Sequence, residues 1–375
     1  MEGTLQIRND DLFNLLDLLM RNLLERPTFL HQGALSRARR ILRSISQFNS
    51  SGRAKKNAAH HYDLSHQFYR FFLDSDMQYS CAYFSNDADS IDQAQGKKKA
   101  LIAKKLLIEP GHRVLDIGCG WGGMGLHLNR HHGAHVTGVT LSREQLEVAQ
   151  RRASAESRRS TPEFRLEDYR EVRGTFDRIV SVGMFEHVGT PHYREFFTHL
   201  KDRLASDGIA LVHTIGRSGP PSATDAWTAK HIFPGGYCPA LSEVATAVER
   251  SGLIITDVEV LRLHYARTLK LWRSRFETRL SDVRRLYDDR FCRMWRYYLT
   301  ASELAFRRGG HVVFQLQLTR RQDVVPVTRD YLLDASGNSE RPHCTEMPTA
   351  GVRVPGSRAG TRNDSGGDQA SATPA

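Results

Sequence analysis

A chain of 375 residues, 40% hydrophobic and 25% charged, is long enough for one large α/β domain with appendages and ordinary enough in composition to bury a sizeable core. No apolar run approaches the ~20 residues of a membrane-spanning helix, and Cys81, Cys119, Cys238, Cys292 and Cys344 stand singly, which argues against a disulfide framework or structural metal. The formal net charge of +11 points to a polyanion, either nucleic acid or the anionic face of a bilayer, and charge alone does not choose.

The first residues lack the basic, apolar and small-residue sections of a signal peptide, so a cytoplasmic location is expected. Leu12, Leu15, Leu16, Leu19, Leu23 and Leu24 recur at helical spacing behind Asp10 and Asp11. They predict an amphipathic helix over 10–25 that packs on the main domain or faces a membrane or a second copy. Arg37, Arg39, Arg40, Arg43, Arg53, Lys55 and Lys56 follow as a basic connector, suited to solvent or to lipid headgroups, so residues 1–56 read as helix plus connector. From residue 110 strand and helix alternate, which argues for a parallel sheet with right-handed crossovers. Residues 114–117, 134–139, 164–166, 176–182 and 209–215 read as strands, and 254–260 and 312–318 complete a seven-stranded sheet. Residues 217–240, rich in Pro, Gly and Trp, look like an insertion after the fifth strand. His131, His132 and His135 have no acidic companions and are expected to be solvated rather than metal-bound. Residues 335–375 are Ser-, Gly-, Thr- and Pro-rich with few large apolar side chains, which predicts a disordered tail.

Val114-Leu115-Asp116-Ile117-Gly118-Cys119-Gly120-Trp121-Gly122-Gly123 is a buried strand opening through glycines into a helix start. Glycines let the backbone turn tightly against a ligand, and the helix start offers free N–H donors. A dinucleotide site of this geometry would carry an acid ~20 residues on for the ribose. The second strand instead ends Gly138-Val139-Thr140-Leu141-Ser142, leaving Thr140 or Gln145 for the sugar. Asp116, inside the strand end, is placed to orient the loop or to meet a ligand ammonium. S-adenosylmethionine, with an ammonium, a carboxylate and no pyrophosphate, suits this arrangement better than NAD.

The glycine loop, residues 138–145, Ser181-Val182-Gly183-Met184-Phe185-Glu186-His187-Val188-Gly189, and Leu211-Val212-His213-Thr214-Ile215-Gly216 resemble cyclopropane-fatty-acyl-phospholipid synthases and the related mycolic acid cyclopropane synthases. So do His60-His61-Tyr62-Asp63-Leu64 and Tyr79-Ser80-Cys81-Ala82-Tyr83-Phe84, and the match is collinear over the catalytic region 57–321. The resemblance implies a Rossmann-like class I S-adenosylmethionine-dependent methyltransferase fold, a mostly parallel seven-stranded sheet with helical insertions. It implies that Tyr79, Ser80, Gly118, Gly120, Thr140 and Gln145 line the cofactor, with Glu167 near the adenine; a solvated turn at Glu167 and Asp168 is the plainer alternative. It implies further that a bicarbonate ion, acting as base, is held by the Cys81 region, Glu186, His213, Ile215 and Tyr265. One departure is visible, for Ser302 stands in Tyr297-Tyr298-Leu299-Thr300-Ala301-Ser302 where the family often has cysteine.

The implied reaction adds a methylene to the cis double bond of an unsaturated acyl chain of a membrane phospholipid. A cis alkene is a weak nucleophile, so it attacks a sulfonium methyl only when the two are held in line and dehydrated. The resulting cation must lose a proton from the added methyl before water traps it. Such a site requires an apolar acyl tunnel, aromatic faces toward positive charge and a base. Phe68, Tyr69, Phe71, Phe72, Phe185, Phe233 and Tyr237 are candidates, most of them expected in the core. Unsaturated acyl chains and an anionic membrane surface are thus the expected partners, with peripheral association at the inner face of the membrane and homodimerisation left open. A methyl-branched or exomethylene product is the near alternative. A basic nucleic-acid-binding protein is the distant one, disfavoured because no nucleic-acid motif accompanies the charge.

Overall fold

The computed structural model describes residues 1–25, 64–156 and 161–333; the basic connector, nearly all of the His60–Leu64 motif and the tail after residue 334 lie outside the described residues. Helices α1 (Leu12–Glu25), α2 (His66–Arg70) and α3 (Ile91–Lys105) precede the sheet. Then come β1 (Arg113–Ile117), α4 (Gly123–His132), β2 (His135–Thr140), α5 (Arg143–Ser154), β3 (Glu163–Leu166), β4 (Phe176–Val182), α6 (Tyr193–Arg203) and β5 (Leu204–Arg217). Helices α7 (Ala226–His231) and α8 (Leu241–Ser251) lead to β6 (Ile254–Leu261). Helices α9 (His264–Thr278), α10 (Leu280–Leu286) and α11 (Asp289–Arg307) lead to β7 (His311–Thr319).

The seven strands form one sheet in the order β3-β2-β1-β4-β5-β7-β6. All neighbours are parallel except β7, which runs antiparallel to both β5 and β6. The fold is therefore the Rossmann-like α/β architecture expected. The fifth strand is longer than its apolar run, because Leu204 pairs with Phe176 and Arg217 pairs with His311. Ladder partners, rather than hydrophobicity, set its ends. Strand order reverses between β1 and β4, and open α/β sheets bind ligands at the carboxyl ends of strands beside such a switch point.

Local chemistry starts the helices where they are needed. Ser90 and Gln93 form a capping box at α3, and Ser142 accepts from the Gln145 N–H at α5. Gly122, at φ 81°, turns the glycine loop into α4. The sheet buries Leu115, Ile117, Ile179 and Val212 with Phe185, Tyr193, Phe196 and Phe197 on one side. Its other side buries Val114, Val136, Val180, Ile209 and Leu211 against Ile102 and Leu106. A third core is largely aromatic: Phe68, Tyr69 and Phe72 pack with Trp272, Phe276 and Trp295. Trp295 is 1% exposed, with ring centroids 4.9 Å from both Phe68 and Tyr298. Trp295→Ala should therefore destabilise the fold by about 3–5 kcal/mol, measured by equilibrium denaturation.

Residues 1–25 belong to the same compact unit as the sheet. Asp11 accepts from the Asn14 N–H at the start of α1, whereas Asp10 pairs with Arg296. Asp17 pairs with Arg308, and Arg273 lies over the Phe13 ring, so α1 docks on α9 and α11. Leu18 and Leu19 stay exposed on its other side. Among the described residues no helix is long and apolar enough to cross a membrane, and no cluster of His, Cys, Asp and Glu could hold a metal ion. His131 and His135 are exposed, but His132 is half-buried and leans on the ring of His127.

Candidate active site

The carboxyl ends of β1 and β2 and the turn after β4 frame a first cavity, lined among others by Tyr79, Ser80, Asp116, Gly118, Gly120, Thr140, Gln145 and Glu167. All eight residues assigned to a cofactor on sequence therefore meet in one place. The loop is docked on β2, because the N–H groups of Gly118 and Cys119 both donate to the Val139 carbonyl, at 2.9 and 3.0 Å. Gly118 has φ +76°, and a Cβ there would lie 2.9 Å from the Met184 Cβ. Thr140 donates to Gln145 Oε1 at 3.1 Å, so the two candidates for a sugar act as a pair.

Asp116 is buried and accepts from the Gly125 N–H in the first turn of α4, which is the loop-orienting role. Its Oδ2 is buried without a partner, and burial pushes its carboxyl up to about 7. An unpartnered carboxylate oxygen beside a glycine loop fits a ligand ammonium. Glu167 is anchored by its N–H to the Thr140 carbonyl, with Arg165 3.7 Å from its carboxylate. Asp168 is 2% exposed and held by Arg170, so this pair is an ordered corner of the cavity and not a solvated turn.

A second cavity is lined by Cys81, Glu186, His213, Ile215 and Tyr265, the five residues assigned to the reaction centre. Thr224, Thr228, Phe233, Gly236, Tyr237 and Cys238 close it, so the 217–240 insertion is its cover. The cavities share Tyr79, Ser80, Gly183 and His187 as a common wall. Glu186 lies in a short turn after β4; its Oε1 accepts from the Ile215 N–H at 2.7 Å and its Oε2 is buried without a partner. Burial pushes this carboxyl up to about 7. The Ile215 N–H is thus engaged by Glu186. His213 is buried and held well below the usual imidazole range by burial and by the ammonium groups of Lys98 and Lys105. The Cys81 thiol donates to the Ala82 carbonyl, and burial pushes it far above the ordinary thiol range. It is a thiol and not a thiolate.

Of the aromatic candidates, Phe233 and Tyr237 line the second cavity, while Phe68, Tyr69 and Phe72 belong to the aromatic core and Phe185 to the core behind β4. Ser302 is half-buried on α11 and lines neither cavity; from the same motif Tyr298 reaches the site, its hydroxyl 2.9 Å from that of Tyr79. Sequence reasoning missed the clamp behind the shared wall. Lys98 donates to Gln78 Oε1 at 2.7 Å and Ser80 Oγ at 2.8 Å, and Gln95 donates to the carbonyls of Gln78 and Ser80. A Gln and a Lys at i, i+3 on a helix, both fully buried, are its signal once burial is known.

Residues 49–316 match the family model for mycolic acid cyclopropane synthetase. The cyclopropane-fatty-acyl-phospholipid synthase of Escherichia coli K12 is 40% identical over 260 residues, which are 69% of this chain and 66% of that one. The chain thus spans just under two thirds of the length of that relative. Cyclopropane mycolic acid synthase 3 of Mycobacterium tuberculosis is 35% identical over 277 residues, 70% of this chain and 96% of that one. Among solved structures, the mycolic acid cyclopropane synthase CmaA1 complexed with SAH and CTAB superposes with a TM-score of 0.68 at 32% identity, over 70% of this chain and 97% of that one.

Proposed function

The chain belongs to the mycolic acid cyclopropane synthetase family, and from that premise we propose that it is an S-adenosylmethionine-dependent C-methyltransferase that adds a methylene to the cis double bond of an unsaturated phospholipid acyl chain. The observation that carries this reading is the common wall of Tyr79, Ser80, Gly183 and His187 between a glycine-loop cavity and an apolar cavity containing buried acid–base groups.

The first cavity would hold S-adenosylmethionine, which supplies an electrophilic methyl group. Asp116 Oδ2 answers its ammonium, and the Thr140–Gln145 pair answers its ribose. The second cavity would hold the alkene under Phe233 and Tyr237, dehydrated by the insertion. A bicarbonate ion beside Glu186 would supply a base for a carbon-bound proton. A carboxylate repels an anion, so Glu186 must bring a proton, and burial keeps one on it up to about pH 7. His213 and Tyr265 contribute donors on the same wall. Cys81 contributes bulk and backbone. Cys81→Ser should accordingly keep turnover within about tenfold of wild type, and loss of all activity would show that the thiol itself takes part in the reaction.

Lipid mass spectrometry of cells expressing the chain tests the whole reading: a gain of one CH2 on unsaturated phospholipids supports it, and an unchanged lipid profile refutes it. Fragmentation separates a ring from the alternative, a methyl-branched or exomethylene chain. The net charge of +11 supports docking on anionic lipid. Binding to anionic vesicles should therefore weaken with salt, since exposed charges are screened over ~8 Å at physiological ionic strength, and salt-independent sedimentation with vesicles would contradict this.

A further inference from the structure

Gln315 and Lys105 line neither cavity, yet they form a chain that ends on His213. In β7 the run Phe314-Gln315-Leu316-Gln317-Leu318 alternates apolar and amide side chains, and Gln315 is 1% exposed. The ladder register sets Gln315 opposite His213 of β5 on one side and opposite Glu259 of β6 on the other. Residues directly paired across strands share a face. Three polar residues thus stand in one row across the sheet. Lys105, the last residue of α3, donates to Gln315 Oε1 at 2.8 Å and to the Glu259 carboxylate, with Asp257 4.0 Å away. The other end of the amide, Nε2, lies 3.1 Å from His213 Nδ1.

Donor and acceptor chemistry orients this chain from end to end. An ammonium has three N–H donors and no lone pair, so only the amide oxygen of Gln315 can face Lys105. The amide NH2 then faces the imidazole, and because it can only donate, Nδ1 must present its lone pair. The proton of a neutral His213 is thereby assigned to Nε2. Protonating the ring would set an Nδ1–H against another N–H and add a third positive charge beside Lys98 and Lys105 in a buried site. The opposing charge on this face, Glu259 with Asp257, is already engaged by Lys105. On the cavity side the titratable groups of the shared lining are Glu186, His187, Cys81, Cys238 and the tyrosines Tyr79, Tyr237 and Tyr265.

We propose that Gln315 and Lys105 are positioning residues that lock His213 as a neutral imidazole with its proton on Nε2, so that the ring presents an N–H donor to the cavity it shares with Glu186 and Tyr265. What that donor serves rests on the base-site reading above; the tautomer does not. The ion pair to Glu259 is the anchor of the lock, since it fixes the ammonium that fixes the amide.

The experiment is a two-bond 1H–15N spectrum of the full chain labelled with 15N-histidine, with His213 assigned by difference from His213→Asn. From about pH 5.5 to about pH 8.5 wild-type His213 should show the Nε2–H tautomer and no titration. An Nδ1–H tautomer, or a titration at the ordinary value, overturns the lock. Gln315→Glu puts an acceptor opposite Nδ1, so His213 should acquire an Nδ1 proton and turnover should fall by roughly tenfold or more, with the KM for cofactor unchanged. A Gln315→Glu protein with wild-type tautomer and wild-type turnover refutes the positioning role. If that variant does not fold, the wild-type spectrum still decides the tautomer, and Lys105→Met, which frees the amide to flip, replaces it for the rate. A wild-type chain that shows the tautomer but modifies no lipid keeps the lock and removes the base-site reading.

Discussion

Glu186→Gln should lower turnover on unsaturated phospholipid by about 10²–10³ while leaving cofactor affinity nearly unchanged. The substitution keeps size and the bond from the Ile215 N–H to Oε1, but removes the ionisable proton on a carboxyl that burial raises to about 7. The same variant should be more stable than wild type above neutral pH. In the unfolded chain this carboxyl titrates at its ordinary 4.5, so between there and about 7 the folded state binds more protons and stability falls as pH rises. Asp116, raised from 3.8 to about 7, adds a decline over a similar window. Removing the Glu186 share should recover on the order of 3 kcal/mol at pH 8 in the ligand-free protein. Calorimetric binding of S-adenosylhomocysteine, turnover and thermal melts at pH 5 and 8 in one preparation decide the matter. Wild-type turnover would make Glu186 structural, and lost cofactor binding would move it to the first cavity.

Gly118→Ala should weaken cofactor binding strongly. The residue sits at φ +76°, where an L side chain costs ~1–2 kcal/mol, and its Cβ would meet the Met184 Cβ at 2.9 Å. Both strains relax if the loop moves, but the loop is tied to β2 through the Gly118 and Cys119 N–H groups. Affinity for S-adenosylhomocysteine should drop by about 30-fold or more, with far-UV dichroism unchanged and the melting temperature lowered modestly. A variant binding within about threefold of wild type would show that this turn does not shape the cofactor site.

The glycine loop and the Thr140–Gln145 pair could be read from the sequence because they follow the ends of β1 and β2, whereas Cys81, Glu186, His213, Ile215 and Tyr265 were singled out by the family resemblance alone, and the fold brings the five to one cavity. Seven strands were equally legible, since buried strands carry apolar runs that periodicity detects. The tertiary structure decided what depends on pairing across distance. The ends of β5 follow its ladder partners, and the 217–240 insertion becomes a cover only when Tyr237 and Phe233 are folded over Glu186. Phe185, beside Glu186 in the motif, points into the opposite core because adjacent residues in a turn leave in different directions. The Lys98 and Gln95 clamp depends on α3 lying against the 78–80 segment, and the Lys105–Gln315–His213 chain on the register of β5 with β7, 102 positions apart, and on α3 ending over that pair. A sequence names the groups that can donate and accept, but only the register of strands and the burial of a helix determine which of them are forced to meet without water, and that is where their protons are assigned.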